Sequence, residues 1–343
     1  MTDQITAAFY RGNKTFEVHK IQPEPPEAGE VQIEVAYCGI CGTDLHAYLG
    51  HMDQRIGFER ILGHEMSGTI SAVGDGVADW SIGDRVVVRP LDPGADNPAI
   101  QRGHSHISHN LKFLGLDSQG AMQQLWNVPA FTLHRVPENV SLRDAALIEP
   151  LAVACHDVRL SGLQAGEDVL VIGGGPIGML VAMVAKAAGG KVTISEINAY
   201  RLALAEQLGF DTMNPNEIDP VAEIMAKTGD KGADVIFEVS GVQPAVDLMT
   251  AVGATRARIV MVAIHAQKPQ IDLFQFFWRE LQLIGARVYE PEDYEKAISS
   301  ISAGEIDADA MITDIRPLEE IGDAFEELGR NPTAMKSLLK INE

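Results

Sequence analysis

The segment 168–196 constrains the fold of this chain more than any other, and it reads DVLVIGGGPIGMLVAMVAKAAGGKVTISE. Its apolar run 169–172 is typical of a buried parallel strand and is followed by a glycine-rich turn. A helical pattern then ends at two glycines, and a second strand, 191–195, leads to an acidic residue. The segment therefore predicts two parallel strands joined by a helix.

Three glycines of the turn, Gly173, Gly175 and Gly178, stand at the spacing G-x-G-x-x-G. The first permits the tight turn, the second lets the backbone approach a pyrophosphate, and the third lets the helix pack on the strand. The helix N-terminus, with Pro176 and Ile177, can then face the phosphates. An ordinary strand-to-helix turn is the alternative, but the flanking elements supply the context that a dinucleotide site requires.

The acidic residue at the end of the second strand, Glu196, indicates which dinucleotide binds. Its carboxylate can accept hydrogen bonds from both adenosine ribose hydroxyls and would repel a 2′-phosphate, so the sequence favours NAD over NADP. Arg201 follows closely and weakens this preference, unless it is only a charge on the helix surface. Both residues are candidates for binding the cofactor.

Composition limits the remaining possibilities. A length of 343 residues predicts about two domains. The formal net charge is −21, from 27 basic and 48 acidic side chains, and such a field disfavours nucleic acid and anionic membranes as partners. No apolar leader or run of membrane-spanning length is visible, so we expect a cytoplasmic protein.

The cysteines do not form a disulfide framework, because there are only three of them. Cys38 and Cys41 stand at C-x-x-C spacing, which can mark a redox pair or half of a four-cysteine zinc site. The chain has no second C-x-x-C, and no strand–helix–strand unit lies nearby. We therefore expect Cys38 to pack as a strand residue.

The two halves of the chain show different patterns. From residue 6 to about 140, short strands broken by Gly and Pro predict an all-β, partly open barrel. After Glu196, alternating strands and helices are sufficient for a six-stranded doubly wound sheet. We expect the tail from residue 291 to return to the first domain. The main predicted strands are 31–38, 66–74, 83–88, 234–239, 258–263, 281–285 and 337–341, and the helices are 199–208, 243–252, 294–302 and 318–328.

Two short segments of the first half carry the residue types of a metal site. Cys41 begins CGTDLH, and His64 and Glu65 follow about twenty residues later. A thiolate, an imidazole and a carboxylate are ligands of a catalytic zinc, which keeps one position open for water or substrate. Glu149 is a fourth candidate ligand. Taken singly, these residues also fit a buried thiol, a core histidine and surface acids.

Together, the segments CGICGTDLH, GHE, EPLAVA and GGGPIG resemble those of the zinc-dependent medium-chain dehydrogenases. The resemblance is to the polyol, butanediol and threonine dehydrogenase branch and covers essentially the whole chain. It implies an α/β protein with two domains. A GroES-like β-barrel catalytic domain would comprise residues 1–155 and 293–343, and a six-stranded Rossmann NAD-binding domain would comprise residues 156–292.

The resemblance also implies the ligands of one catalytic zinc. Cys41, His64 and either Glu65 or Glu149 would bind the ion, and the remaining glutamate would lie near it. Members of the family differ in which carboxylate binds directly. Asp44 resembles the acid that orients the histidine ring in the family.

Residues for proton transfer and substrate binding follow from the same resemblance. Thr43 matches the hydroxyl residue beside the reacting oxygen, and His46 matches the histidine that passes the proton to solvent. Arg287 and Tyr289 resemble positions that reach nicotinamide or substrate, although a salt bridge and packing explain them equally well. Loop residues that can line the pocket or simply pack are Tyr48, His51, Arg55 and Phe58.

These residues predict NAD-dependent oxidation of a secondary alcohol to the ketone in a small polyol, sugar alcohol or sugar acid. Zinc lowers the pKa of bound water from 15.7 to about 7, so a bound alcohol should likewise deprotonate near neutrality and release hydride to the nicotinamide. A sugar acid would need a basic group, such as Arg55 or Arg287. The alternatives are a zinc-free quinone or enoyl reductase and a non-catalytic nucleotide-binding protein.

One segment departs from the family pattern. Many members bind a second, structural zinc through four cysteines on a lobe, and the lobe of this chain has none of them. His104, His106 and His109 lie nearby, but their spacing matches no known site. We therefore expect no structural zinc, and we leave a homodimer and a homotetramer open. The residues at the four cysteine positions are Gly94, Asn97, Ile100 and Ser108.

Overall fold

The structure is a computed structural model that describes residues 4–330 and 333–342. It contains two compact units, one of Met1–Glu149 with Glu290–Glu343 and one of Pro150–Tyr289, called the N-terminal unit and the central unit below. The strands are β1 Ile5–Tyr10, β2 Phe16–Ile21, β3 Glu30–Gly39, β4 Arg60–Ile61, β5 Glu65–Val73, β6 Arg85–Val88, β7 Leu91–Asp92, β8 Lys112–Phe113, β9 Leu125–Pro129, β10 Leu133–Arg135, β11 Asp168–Ile172, β12 Lys191–Ser195, β13 Asp211–Met213, β14 Ala233–Glu238, β15 Gly253–Met261, β16 Gln282–Gly285, β17 Ile312–Pro317 and β18 Lys336–Lys340. The helices are α1 Gly42–Tyr48, α2 Asp53–Ile56, α3 Pro98–Gln101, α4 Leu142–Ala145, α5 Ile148–Ser161, α6 Pro176–Ala187, α7 Ala199–Gln207, α8 Pro220–Lys227, α9 Gln243–Val252, α10 Leu273–Arg279, α11 Pro291–Ser302, α12 Ala308–Met311 and α13 Ile321–Arg330.

The N-terminal unit is built around β3. This strand pairs with β5, β9 and β18 in a seven-stranded sheet, and β1, β2 and β4 form a second, smaller sheet. Val31, Ile33 and Val35 of β3 are fully buried, because alternate side chains of a strand point to the same face. The three strands predicted before residue 90 correspond to β3, β5 and β6.

Strand register brings distant segments together at the end of β3. Gly39, the last residue of β3, lies opposite Glu65 at the start of β5. On the other side of β3, Gly39 lies opposite Leu338 of β18. Residues just after β3, just before β5 and at the start of β18 are therefore neighbours in space.

The central unit contains six parallel strands in the order β13-β12-β11-β14-β15-β16. With the strands numbered along the chain, this is the order 3-2-1-4-5-6 of a doubly wound dinucleotide-binding sheet, so the predicted six-stranded sheet is confirmed. Sequence reasoning missed β13, α8 and α10. Across the described residues, no helix is both long and apolar enough to cross a membrane.

Candidate active site

Cys41 lies at the turn between β3 and α1, where it is the N-cap residue of the helix. Its backbone N–H donates to Asp44 Oδ2 at 3.0 Å, so the carboxylate closes the first turn of α1. The side chain of Cys41 is partly exposed, whereas Cys38 is fully buried. Burial raises the pKa of the Cys38 thiol well above its usual value. The prediction that Cys38 packs in the strand is confirmed.

His64 and Glu65 are held by a glycine that no other residue could replace without strain. Gly63 has φ +98°, and a Cβ atom built on it would lie 2.7 Å from Cys38 Sγ. The glycine therefore lets the chain turn tightly beside β3 before β5 begins. One ligand atom from each of Cys41, His64 and Glu65 lies within 4.8 Å of the other two.

Asp44 links two members of this cluster. It is fully buried, and its Oδ1 lies 3.5 Å from His64 Nδ1, which leaves the other ring nitrogen of His64 for the metal. Burial opposes a charge on His64, but Asp44 and Cys41 raise its pKa well above the usual value. The surroundings thus favour a cation at this point, and the donor set of thiolate, imidazole and carboxylate fits zinc.

Lys336 is a member of the site that sequence reasoning missed. Its Nζ lies 2.8 Å from Oε1 and 2.7 Å from Oε2 of Glu65. Burial alone would lower the pKa of Lys336, but nearby negative charges, Glu65 foremost, raise it above the usual value. A lysine that begins a short strand with two leucines was the available signal. Its partner is identified only by the folded structure, in which β18 pairs with β3.

Glu149 lies outside the group of three ligand atoms but close to it. It is buried in the first turn of α5, and its charge contributes to the raised pKa of Lys336. The candidate zinc site therefore contains two carboxylates. Glu65 has an oxygen within 4.8 Å of a ligand atom of Cys41 and of His64, and Glu149 is not a member of that group.

The two candidate proton-transfer residues lie on α1. Thr43 is partly buried, two residues after Cys41, and His46 is exposed one helical turn further along. The Nδ1 atoms of His46 and His51 are 3.1 Å apart, and His51 N–H donates to the His46 carbonyl oxygen at 3.1 Å. His46 thus has access to solvent and contacts a second imidazole.

The glycine-rich turn of the central unit has the geometry that its sequence predicts. Gly173 has φ +107°, in the left-handed region, and Gly175 is the N-cap residue of α6. A Cβ atom on Gly178 would lie 1.8 Å from the Gly173 carbonyl oxygen, so only glycine fits there. Pro176 and Ile177 form the first turn of α6, whose free N–H groups suit a phosphate.

Glu196 lies beside this turn and is 7% exposed. Its Oε2 accepts a hydrogen bond from Gly174 N–H at 2.8 Å, and its Oε1 accepts from the backbone N–H groups of Ile197 and Asn198 at 2.7 and 2.9 Å. Arg201 Nη1 lies 3.7 Å from Glu196 Oε2. The buried Nε of Arg201 has no hydrogen-bond partner among the described residues, which suits a polar ligand at this turn.

The three candidate substrate residues lie in different environments. Tyr48 packs between Phe16 and Phe325 in the core of the N-terminal unit, and burial raises the pKa of its hydroxyl. Tyr289 is fully buried, whereas Arg287 is exposed. Packing is thus an alternative explanation for Tyr48, and the roles of all three residues in substrate binding stay predictions.

Two further residues proposed for the pocket, Arg55 and Phe58, also differ in their surroundings. Arg55 Nε and Nη2 donate to the two carboxylate oxygens of Asp117 at 2.8 and 2.7 Å, which uses the fork of its guanidinium. Phe58 is 55% exposed. Arg287 has no such ion pair among the described residues and is the freer of the two arginines.

The lobe that lacks cysteines is held together by neutral hydrogen bonds. Asn97 Nδ2 donates to Ser108 Oγ at 2.6 Å, and Ser108 Oγ donates to the Pro93 carbonyl oxygen at 2.6 Å. Both side chains are less than a tenth exposed. The nearby His106 is buried, with its Nδ1 3.5 Å from Glu290 Oε1.

Comparison with known proteins agrees with this geometry. Residues 27–138 match the family model of the alcohol dehydrogenase GroES-like domain, and residues 176–303 match that of the zinc-binding dehydrogenases. The chain is 51% identical over 336 residues to the 2-dehydro-3-deoxy-L-galactonate 5-dehydrogenase of Pseudoalteromonas atlantica, covering 98% of each chain.

Solved structures show the same relationship. The crystal structure of 2R,3R-butanediol dehydrogenase from Bacillus subtilis has a TM-score of 0.91 and 32% identity, covering 98% of this chain and 100% of that one. A structure from Sinorhizobium meliloti solved bound to NADP has a TM-score of 0.92 and 29% identity, covering 99% and 100%. This chain therefore belongs to the zinc-dependent medium-chain dehydrogenase family and is an oxidoreductase that interconverts alcohols and ketones.

Proposed function

We propose that this chain uses NAD to oxidise a secondary alcohol of a sugar acid, with one zinc ion held by Cys41, His64 and Glu65. The N-terminal unit would be the catalytic domain and the central unit the nucleotide-binding domain. The observation that carries this proposal is the convergence of those three side chains beside Asp44, with His64 and Glu65 buried and Cys41 partly exposed. Glu149 would be the neighbouring carboxylate.

The substrate class is suggested by a relative. The Pseudoalteromonas atlantica protein is named for oxidation at position 5 of 2-dehydro-3-deoxy-L-galactonate, and it matches almost the whole of this chain. We propose a 2-dehydro-3-deoxy sugar acid, or an aldonate of similar length, as the substrate. Butanediol and sorbitol are the neutral compounds against which it should be compared.

The residues of α1 would move the proton. When bound, zinc would act as a Lewis acid that makes the substrate hydroxyl acidic. The Thr43 hydroxyl would accept the substrate proton and pass it to His46, which is exposed and can release it to solvent. Asp44 would hold the His64 ring and the start of α1 in place throughout.

Glu196 would select NAD. Three backbone N–H groups fix its carboxylate beside the glycine turn, where it would accept the ribose hydroxyls and repel a 2′-phosphate. Arg201 opposes this preference, and the relative from Sinorhizobium meliloti binds NADP.

Replacing Glu196 with Ser should raise KM for NAD about tenfold or more, because a charge-assisted hydrogen bond is lost. An unchanged ratio of kcat/KM for NAD and NADP would contradict this role.

Arg287 would bind the substrate carboxylate. It is exposed and lacks an ion-pair partner among the described residues, whereas Arg55 is paired with Asp117. Replacing Arg287 with Ala should raise KM for a sugar acid about tenfold or more and leave KM for a neutral diol nearly unchanged. The matched control is Arg55→Ala, for which we expect little change with either substrate. Equal effects of Arg287→Ala on both substrates would contradict carboxylate recognition.

We also propose that the central unit mediates self-association, with a homodimer as the smallest assembly and a homotetramer as the alternative. The α10 residues Leu273, Phe274, Phe277 and Trp278 are each at least 60% exposed, and β16, which follows α10 in the chain, is an edge strand of the six-stranded sheet. Exposed apolar patches of this kind mark interaction sites. Because the chain has a net charge of −21, two copies would meet with least repulsion at a face that carries no acidic side chains. Phe277→Glu should lower the mass measured by light scattering to that of one chain, while Phe58→Glu, outside α10, should not.

The function as a whole is tested by NADH formation. Sugar acids, polyols, diols and threonine would be assayed with NAD before chelation, after chelation and after zinc is restored. We expect activity on sugar acids that is lost on chelation and recovered with zinc. Activity indifferent to chelation would favour a zinc-free reductase, and no activity on any substrate would favour a nucleotide-binding protein.

A further inference from the structure

Lys336 lies in a buried position beside the candidate zinc site. It is 4% exposed and Glu65 is 1% exposed, and its Nζ is within 2.8 Å of both oxygens of Glu65. The Ile40 carbonyl oxygen lies 3.4 Å from the same Nζ. Because β18 is hydrogen-bonded to β3, the backbone that carries Lys336 is fixed.

The ammonium group occupies the edge of the Glu65 carboxylate that faces it. A group lying that close to both oxygens takes the position from which a metal would bind the carboxylate through both of them. Separating the pair would leave a buried charge without a partner, which is costly. Glu65 therefore stays with Lys336 and can offer the metal one oxygen at most.

We propose that Lys336 is a positioning residue that restricts Glu65 to one-oxygen coordination and so keeps a place on the zinc ion open for the substrate oxygen. This inference rests on the proposed function, because it requires zinc at Cys41, His64 and Glu65. A lysine beside a cation site also repels the cation, so the chain keeps Lys336 at the expense of zinc affinity. Catalytic zinc sites need the open position that such a restriction preserves.

The role predicts an unusual combination of effects in Lys336→Met. Zinc should bind the apoprotein about tenfold more tightly, because Glu65 becomes free to donate both oxygens and the cation no longer meets the charge of the ammonium group. At the same time kcat should fall about tenfold or more, because the open position is filled. A merely structural lysine would show the opposite for zinc, since a loosened site binds metal more weakly.

The experiment measures metal binding apart from turnover. Apoproteins would be titrated with zinc against a chromophoric chelator, and with cobalt to record the visible spectrum of the bound ion. Lys336→Arg is the conservative control, because a guanidinium can also contact both oxygens, and it should retain wild-type affinity and spectrum. Circular dichroism would establish that each variant is folded. If Lys336→Met does not fold, Lys336→Gln replaces it and should also bind zinc more tightly than wild type.

A double variant separates the role of Glu65 from simple charge repulsion. In a Glu65→Gln background, Lys336→Met should tighten zinc binding much less than in wild type, and it should leave the cobalt spectrum unchanged. Equal tightening in both backgrounds would overturn the inference, as would wild-type or weaker affinity in folded Lys336→Met. A wild-type protein that binds no zinc would overturn the proposed function as well, so the two failures are distinguishable.

Discussion

Two regions of the N-terminal unit hold their side chains together in opposite ways. Around Cys41, His64 and Glu65, buried charged groups meet, and two buried polar atoms, Asp44 Oδ1 and His64 Nδ1, have no hydrogen bond within the described residues. In the lobe, Asn97 and Ser108 are neutral. Asn97 donates to Ser108 Oγ and the Ala95 carbonyl oxygen and accepts from two backbone N–H groups, so its capacity is filled.

The difference shows what a cation site requires. A buried place rich in anions, where the pKa of a histidine is raised, gains stability when a metal ion arrives. A buried region whose hydrogen-bond donors and acceptors are already paired gains no stability from a metal ion. By the family resemblance, Asn97 and Ser108 stand at two of the four cysteine positions of a structural zinc site, and in this chain the two side chains are hydrogen-bonded to each other.

The largest expected effect comes from removing a ligand of the charged cluster. Cys41→Ser should lower kcat by at least about a hundredfold, because loss of a residue that only contacts a metal ligand already costs up to about that factor. Binding of NADH should stay nearly intact. Cys38→Ala is the matched control, because Cys38 is buried outside the ligand group. Steady-state kinetics and NADH fluorescence titration measure the two effects. Activity retained in Cys41→Ser would contradict the zinc site.

An intermediate effect is expected from the carboxylate that links Cys41 and His64. Asp44→Asn keeps the size of the side chain and an acceptor for Cys41 N–H, but it removes the negative charge beside His64 Nδ1. Zinc affinity of the apoprotein should fall about 10- to 100-fold. Competition with a chromophoric chelator measures it. If the affinity matches that of wild type, the charge of Asp44 has no part in holding the metal.

The smallest effect belongs to the neutral region. Ser108→Ala removes one of the two hydrogen bonds that Asn97 Nδ2 donates and takes the hydroxyl donor away from the Pro93 carbonyl oxygen. This loss should cost about 1–3 kcal/mol and lower Tm by a few degrees. Zinc content and kcat should stay at wild-type values. Ser81→Ala, at an exposed position, should leave Tm unchanged. Loss of bound zinc in Ser108→Ala would mean that the lobe also holds metal.

Local patterns in the sequence predicted much of the central unit. The turn at Gly173 and the strands on either side depend on neighbours within about thirty residues, so their spacing is visible in the sequence. β13 was missed because three residues are too few for a periodic pattern. α10 was missed because its seven residues, LFQFFWR, are apolar on nearly every side and show no alternation between an apolar and a polar face.

Contacts between distant segments were less predictable. The pairing of Lys336 with Glu65 depends on the register of β18 against β3, which the sequence of neither strand specifies alone. The hydrogen bond from Asn97 to Ser108 likewise requires the folded lobe. Tyr48 was proposed for its place between the metal motifs and Tyr289 for its resemblance to family positions, and neither pattern could show that both side chains are buried.

The measurement that tests the contrast between the two regions most directly is the zinc content of the purified protein, followed through chelation and zinc restoration alongside the rate of NADH formation. We expect one zinc per chain, with activity that rises in proportion to zinc up to that single equivalent. Two equivalents would show that the lobe binds metal despite its neutral side chains. Full activity with no zinc would show that the charged cluster serves the reaction without it.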